Sequence, residues 1–563
     1  MKGTLNYPAA GLDQKSSRII KGMAWFLLCY TGMIEFLPET DVAVIGGGLA
    51  AMESALAAVH NNSSLRVTIL SKKAVGLSGA SLVSMSVHRF APSEEGLRET
   101  YRQNFAASSQ KIGEPVLREI LIREGIAAVE KLETLGMPLE FKDLPGAGGK
   151  RYRHLGCCNP KMGQYLTKPL SRYVGGQKQI SSFQDYAAFD LITDRGAARG
   201  VLAEKNGSFF ALPARTVILA TGGSGFVFGN TSATNDLTGD GYGLALRAGL
   251  PLRDMEFVQF YPYQIYSPGR CNIFPDVFEH GAVFLNELGE RFMAEFPKKE
   301  QENRDILARK MYGQKEVFFD ITSCDTEYLK RECSEIENLR KKHKAARFRV
   351  KPVAHFMMGG IPLRPDCGTD IAGLFCCGEV TGGLHGANRV AGSALTEAAV
   401  FGSRAGRAAA LFAAGAEGQG PEKKKLKAWA EDRSKTFFPA PGKDDPGQII
   451  AELRRVMWDK ASIVRRESSL IEARESLAEL KERLMRQSPA SLRSWLEGVN
   501  LLSTAEAIVA SALLRRESRG AHFREDYPAP GEDFDGSMVY QKGNAVFCPA
   551  ANLERPENKA FVQ

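Results

Sequence analysis

Residues 42–45 are apolar without a break (Val42, Ala43, Val44, Ile45), three glycines follow, and an alanine-rich stretch then runs to His60 with apolar residues at helical spacing. An unbroken short apolar run reads as a buried strand, and a change to the 3.6-residue period across glycines predicts strand, tight turn, helix. A second strand is expected at 66–70. Leu97, Tyr101 and Phe105, then Val116, Ile120, Ile122, Ile126 and Val129, predict two helices over 96–135, the second interrupted near Gly125. Loops are expected at 146–149 and 157–160, and a further helix at 164–173. Short β runs at 200–202, 209–212 and 217–219 follow, and the glycine-rich stretch 235–249 feeds another helix. Residues 322–349 read as charged, exposed helix. Residues 374–377 form a buried strand, and an alanine-rich helix begins at 393–395. Beyond a Gly/Pro break at 418–421 the pattern is helical to about 528, and from Ala529 no pattern is legible.

The first turn carries chemistry. Gly46 permits the bend, Gly48 lets backbone approach a phosphate, and Ala51 is small where helix packs on strand, so the helix N-terminus can aim N–H groups at a dinucleotide pyrophosphate. Where an acidic residue at the end of the second strand would accept hydrogen bonds from a ribose, Ser71 offers one hydroxyl beside Lys72, and this turn does not decide the cofactor.

At 563 residues the chain holds two to four domains. Its composition, 44% hydrophobic and 25% charged, is that of a globular protein. The net charge of +8 is spread out, and the basic runs 341–344 and 423–425 have no interleaved aromatics, which reads as solvated helix surface and not a nucleic-acid face. Ten cysteines show adjacent pairs (Cys157 with Cys158, Cys376 with Cys377) and no CxxC spacing, which excludes an iron–sulfur cluster or covalent haem within this chain and fits free thiols in the cytoplasm. No metal site is expected. The apolar stretch 23–29 is too short to span a bilayer, so 1–33 is taken as an extension outside the fold.

The dinucleotide turn, the strand ending in Ser71-Lys72 and the Gly/Ser-rich loop 71–86 together resemble the flavoprotein family of succinate dehydrogenase, fumarate reductase and L-aspartate oxidase. The resemblance runs on through Ala220-Thr221-Gly222-Gly223, Asp240, the segment DMEFVQFYPY from Asp254, NRDILAR from Asn303, HFMMGG from His355, and GEVTGGLHGANRVAGSAL from Gly378. It implies an FAD cofactor held by Gly46, Gly48, Ala51, Ser71, Lys72, Ser78, Gly79, Ala220, Thr221, Gly222, Gly223, Asp240, Glu379, His385, Ser393 and Leu395. Membrane-bound members carry the flavin on a histidine where this chain has Gly79, so the FAD is expected to be non-covalent. Arg304 matches the family's proton-donating arginine, His355 a substrate-binding histidine, and Arg389 the carboxylate clamp. Tyr261 stands at the place of a second carboxylate-binding histidine. Phe274, Pro275 and Phe278 fall where the family has a Thr-Glu pair and an arginine, with Glu279 or His280 as stand-ins if the register shifts. A more aromatic substrate pocket at Tyr261, Phe274 and Phe278 is therefore expected.

The fold class implied is α/β, a Rossmann-like FAD-binding domain with an inserted α+β capping domain and a C-terminal helical domain. Boundaries are expected at 34–250 and 353–415 for the FAD-binding domain, 251–352 for the cap, 421–530 for the helical domain and 531–563 for a tail. The activity implied is hydride transfer between flavin N5 and an unsaturated (di)carboxylic acid, in a cytoplasmic protein with no membrane span of its own. An iron–sulfur or other electron-transfer subunit is the implied partner. L-aspartate oxidase and an electron-relay subunit with a disabled pocket are the alternatives.

Overall fold

The computed structural model of the protein describes residues 34–91, 95–135, 139–144, 149–154, 163–415, 445–486 and 491–550. The extension 1–33, the loop at 157–160, the basic run 423–425 and the break at 418–421 lie outside the described residues.

The strand Thr40–Ile45 is buried along its whole length and sits inside an eight-stranded sheet. The main order is Ile180–Gln184, Val67–Ser71, Thr40–Ile45, Ser208–Leu219, Ala197–Lys205, Ala187–Asp194. Pairing is parallel across the first four strands and antiparallel across the last three, so the uninterrupted Val/Ile runs lie where both faces are covered. Far along the chain, Leu374–Cys376 returns to pair in parallel with Val217–Leu219. The helix Ser393–Gly415 then crosses the helix Leu49–Asn61 closely: a Cβ on Gly406 would lie 2.1 Å from the Ser54 carbonyl oxygen. Contrary to expectation, the helix Pro115–Thr134 runs uninterrupted through Gly125. That glycine makes room for a neighbour, since its Cβ would come within 3.2 Å of Phe90 and Thr396.

Residues 258–357 form the cap, a five-stranded antiparallel sheet in the order Cys271–Asn272, Val258–Ser267, Arg347–Met357, Val317–Asp320, Val283–Asn286. The charged stretch expected as helix over 322–349 divides into the helices Thr326–Glu332 and Ser334–His343, and its end already belongs to the strand Arg347–Met357.

The helices Pro446–Ala461, Glu467–Met485 and Leu492–Leu514 pack under the FAD-binding domain. Among the described residues only Leu492–Leu514 is long and apolar enough to cross a membrane, and it serves here as a largely buried core helix. Behind it, buried Arg515 binds Glu256 (2.6 Å) and Glu517 (2.8 Å), while Arg465 donates to the Glu256 carbonyl (2.7 Å) and contacts His522 Nδ1 (2.7 Å). Burial and the adjoining arginines hold His522 well below its usual pKa, so it stays neutral in this cationic knot. The region expected as a patternless tail is instead a hairpin, Gly536–Gln541 with Asn544–Pro549, whose first strand pairs with Leu252–Arg253 at the base of the cap. Arg253 fastens that junction, donating to Glu114 (2.7 Å), Asp254 (3.1 Å) and Ser537 (2.6 Å).

Candidate active site

A single long cleft runs from the turn after Thr40–Ile45 to the base of the cap. At its first end Gly46 adopts φ +127°, and a Cβ there would strike the Ala220 carbonyl oxygen at 2.2 Å, so the turn requires glycine. Two helix N-termini open onto the cleft, at Leu49 and at Ala394–Leu395, and neither helix has an acidic residue in its first turn. Both ends are therefore suited to negative charge. Ala220, Thr221 and Gly222 form one wall beside Gly48, Ser78 and Gly79. The Thr221 Oγ1 is buried without a hydrogen-bond partner and faces Gly241, whose missing side chain makes room for it (a Cβ there would lie at 2.2 Å). On the opposite side Glu379 accepts from the Met357 amide (3.1 Å), and burial raises its carboxyl pKa to about 7. Gly223 lies behind this wall, where a Cβ would come within 2.5 Å of the Glu379 carboxylate. Two helix termini, a glycine turn and a buried carboxyl suit the pyrophosphate, hydroxyls and reduced ring of a flavin dinucleotide.

Lys72 and Asp240 also border the cleft, but their charges are spent on each other. Lys72 Nζ bonds Asp240 (2.9 Å), Glu497 (3.0 Å) and Thr238 Oγ1 (2.7 Å), and Asp240 also accepts from Asn500 (3.0 Å). Both line the cleft where contact with a cofactor is expected, and together they form a clasp holding the helical domain to the nucleotide end. Ser71 donates its hydroxyl proton to the Lys73 carbonyl (2.7 Å), leaving only acceptor capacity.

At the far end the strand Val258–Ser267 carries Gln259 and Tyr261, and its neighbour Arg347–Met357 carries His355. Gln259 Oε1 accepts from Arg389 (2.7 Å) and from Arg304 (3.3 Å), while its amide N–H donates to Asn388 (2.8 Å) and to the Arg389 carbonyl (2.9 Å). Among the described residues neither arginine makes an ion pair, and Arg389 Nε is buried without a partner. Burial, then the charge of Arg304, holds the Arg389 guanidinium well below its usual pKa, to about 9, a cost that an anion between the two would relieve. His355 stacks on Tyr261 (ring centroids 4.8 Å) and its Nδ1 meets Ser232 Oγ at 2.9 Å. Burial and the two arginines hold its pKa well below the usual value, so the imidazole is neutral.

Several expected site residues lie elsewhere. Phe274 and Phe278 pack into the cap's own core, Phe278 against Tyr263 (5.7 Å) and Phe284 (4.9 Å), because the segment Pro275–His280 coils into a 3₁₀ turn that points them inward. Tyr261 is fully buried behind His355, its hydroxyl donating to the Ile273 carbonyl (2.7 Å). Glu279 pairs with Gln301 (3.3 Å) and His280 stacks on Tyr328 (3.6 Å), so neither replaces a missing group in the cleft. His385 is bonded to Glu397 (2.9 Å) between Phe105 and Phe356, and Ser393 donates to the Val390 carbonyl (2.7 Å), both behind the cleft wall. Ala51 is buried at the helix–strand contact and touches no cleft. Sequence reasoning missed Gln259, Ser232 and Glu497. The adjacent VQFY run held a signal for the first, since a glutamine in an otherwise apolar buried strand needs partners.

The FAD binding domain family model matches residues 41–395, and the fumarate reductase flavoprotein C-terminal model matches 450–540. The chain is 32% identical to L-aspartate oxidase 1 of Ralstonia nicotianae over 531 residues, covering 87% of this chain and 95% of the relative. It is 31% identical to the 8-methylmenaquinol:fumarate reductase flavoprotein subunit of Wolinella succinogenes over 546 residues, covering 87% and 86%. A solved variant of the E. coli quinol fumarate reductase superposes with a TM-score of 0.81 at 25% identity, covering 92% of this chain and 97% of that one. The chain belongs to the succinate dehydrogenase, fumarate reductase and L-aspartate oxidase flavoprotein family, and it is an FAD-dependent oxidoreductase.

Proposed function

We propose that this flavoprotein holds FAD without a covalent link along the cleft from Gly46 to Arg389 and acts on the CH–CH or C=C bond of a carboxylic acid bound beside Arg304, Arg389 and His355. The observation that carries the reading is the pair of cleft-lining arginines that share the Gln259 oxygen and, among the described residues, have no carboxylate against them. A buried guanidinium beside a second, half-buried one is costly unless an anion joins them. Non-covalent binding is supported by Gly79, which lines the cleft with no side chain, and by Cys377, whose thiol burial keeps protonated far above its usual pKa.

Bound FAD would supply or accept a hydride at one carbon of that bond. The rest falls to the chain. Arg389 and Arg304 hold the carboxylate, with the Arg389 fork suited to two parallel hydrogen bonds. His355, neutral and steadied through Nδ1 by Ser232, keeps Nε2 for the substrate oxygen it polarises. Arg304, anchored by Gln259 and lying over the Tyr261 ring at 5.1 Å, is placed to move a proton at the neighbouring carbon. An electron-transfer partner, iron–sulfur or other, and a soluble or peripheral location fit the naming of relatives as subunits.

Anaerobic reduction of the bound flavin, followed by enoic acids beginning with fumarate, tests the reading: return of the oxidised flavin spectrum is the expected result. No return with any acid would sink it. A second reading, L-aspartate oxidase, is favoured by the 32% identity to such an enzyme, and hydrogen peroxide formed from aspartate in air would establish it.

A further inference from the structure

The cleft's inventory of charge names the acid more narrowly. Among the described residues its cationic lining residues are Lys72, Arg304 and Arg389. Lys72 is neutralised at the nucleotide end by Asp240 (2.9 Å) and Glu497 (3.0 Å). The two arginines converge on one oxygen of Gln259, so they define a single anion position. The cap-side lining includes Val83, Met85 and Val87, with Tyr261 behind Met85, and one neutral amide, Asn272. The Tyr261 hydroxyl gives its only proton to the Ile273 carbonyl at 2.7 Å, with the Met85 sulfur at 3.5 Å on its other side. Ser84, at the same wall, donates to the Ser81 carbonyl (2.8 Å).

We infer that, granted the carboxylate site proposed above, the substrate is a monocarboxylic acid with an apolar substituent on the far carbon of the reacting bond, not a dicarboxylate. Among the described residues, a second carboxylate there would meet aliphatic carbon, thioether, a spent phenol and the neutral Asn272 amide, with no cation to offset its lost hydration. An apolar chain or ring in the same place gains from leaving water. In the reductive direction the 2-enoate gains a hydride at its β-carbon and a proton at its α-carbon, both electrons coming from reduced FAD, and the product is the saturated acid.

The test is equilibrium binding of saturated acids to the oxidised holoenzyme, read from the flavin's visible spectrum. Butanoate and 3-phenylpropanoate should bind at least about tenfold more tightly than succinate, an expectation set by the unpaired second charge. Met85→Lys, which puts a cation on the far wall, should raise succinate affinity selectively. Tyr261→Phe should leave the ranking unchanged, because that hydroxyl faces the Ile273 carbonyl. Succinate binding as tightly as the monocarboxylates, with Arg389→Gln weakening both, overturns the inference and leaves the site intact. Loss of the ranking in Tyr261→Phe overturns it as well. Acids that do not bind, or whose binding ignores Arg389→Gln, overturn the site reading and the inference with it.

Discussion

The two ends of the cleft handle charge in opposite ways. At the nucleotide end Lys72, Asp240 and Glu497 neutralise one another, and what faces the ligand is backbone: a glycine turn and two helix termini. At the other end Arg304 and Arg389 stand together with only an amide oxygen between them. The first end is complete without its ligand, whereas the second is balanced only by an anion. Damage at the first end should therefore appear as lost stability or lost cofactor, and damage at the second as lost chemistry in a well-folded flavoprotein.

The largest effect is expected from Gly46→Val. With φ at +127° and a Cβ position 2.2 Å from Ala220 O, this variant should purify without the 450 nm flavin band or fail to fold, as absorbance and thermal melting will show. Next is Arg389→Gln, which removes a buried charge donor and should lower kcat/KM by about 10² or more, while flavin content and melting temperature hold. Equal losses of flavin and activity would erase the contrast between the ends. Lys72→Met leaves two carboxylates facing each other and should cost about 3–5 kcal/mol of stability in denaturant titrations. Activity per bound flavin should change little.

The smallest effect is a pH dependence. Burial raises the Glu379 carboxyl from 4.5 to about 7, so the folded protein holds this proton more tightly than the unfolded chain does. The sign follows: the contribution of Glu379 to stability is fully present below pH 4.5 and is lost as pH rises through about 7. The melting temperature of flavin-free protein should fall over that window, and Glu379→Gln should flatten the slope.

Local pattern carried the nucleotide end. Val42 to Ile45, the glycines and Ala51 announce strand, turn and helix because each residue's role there depends on its own backbone. The substrate end was less legible, since its parts act through distant partners. Gln259 reads as one polar residue in a buried strand until Arg304, and Asn388 with Arg389, arrive from two other segments. Phe274 and Phe278 were assigned to the pocket by position, yet a 3₁₀ turn sends them into the cap core. Gly125 looked like a break because propensity knows nothing of the neighbouring Phe90. The hairpin at 536–549 hid because its turn, Lys542-Gly543 with φ +51° and +84°, uses a lysine where Asn-Gly would have advertised it.

That hairpin has a consequence for biosynthesis. Leu252–Arg253, where the chain leaves the nucleotide-binding sheet for the cap, is bridged at Arg253 to Gly360 on one side, while on the other it pairs with Gly536–Gln541, where Arg253 also donates to Ser537. A ribosome therefore delivers the sheet, the cap and the return strand long before the piece that closes the cap's base. Until then the junction beneath the arginines is half-paired, with only its Gly360 side bridged.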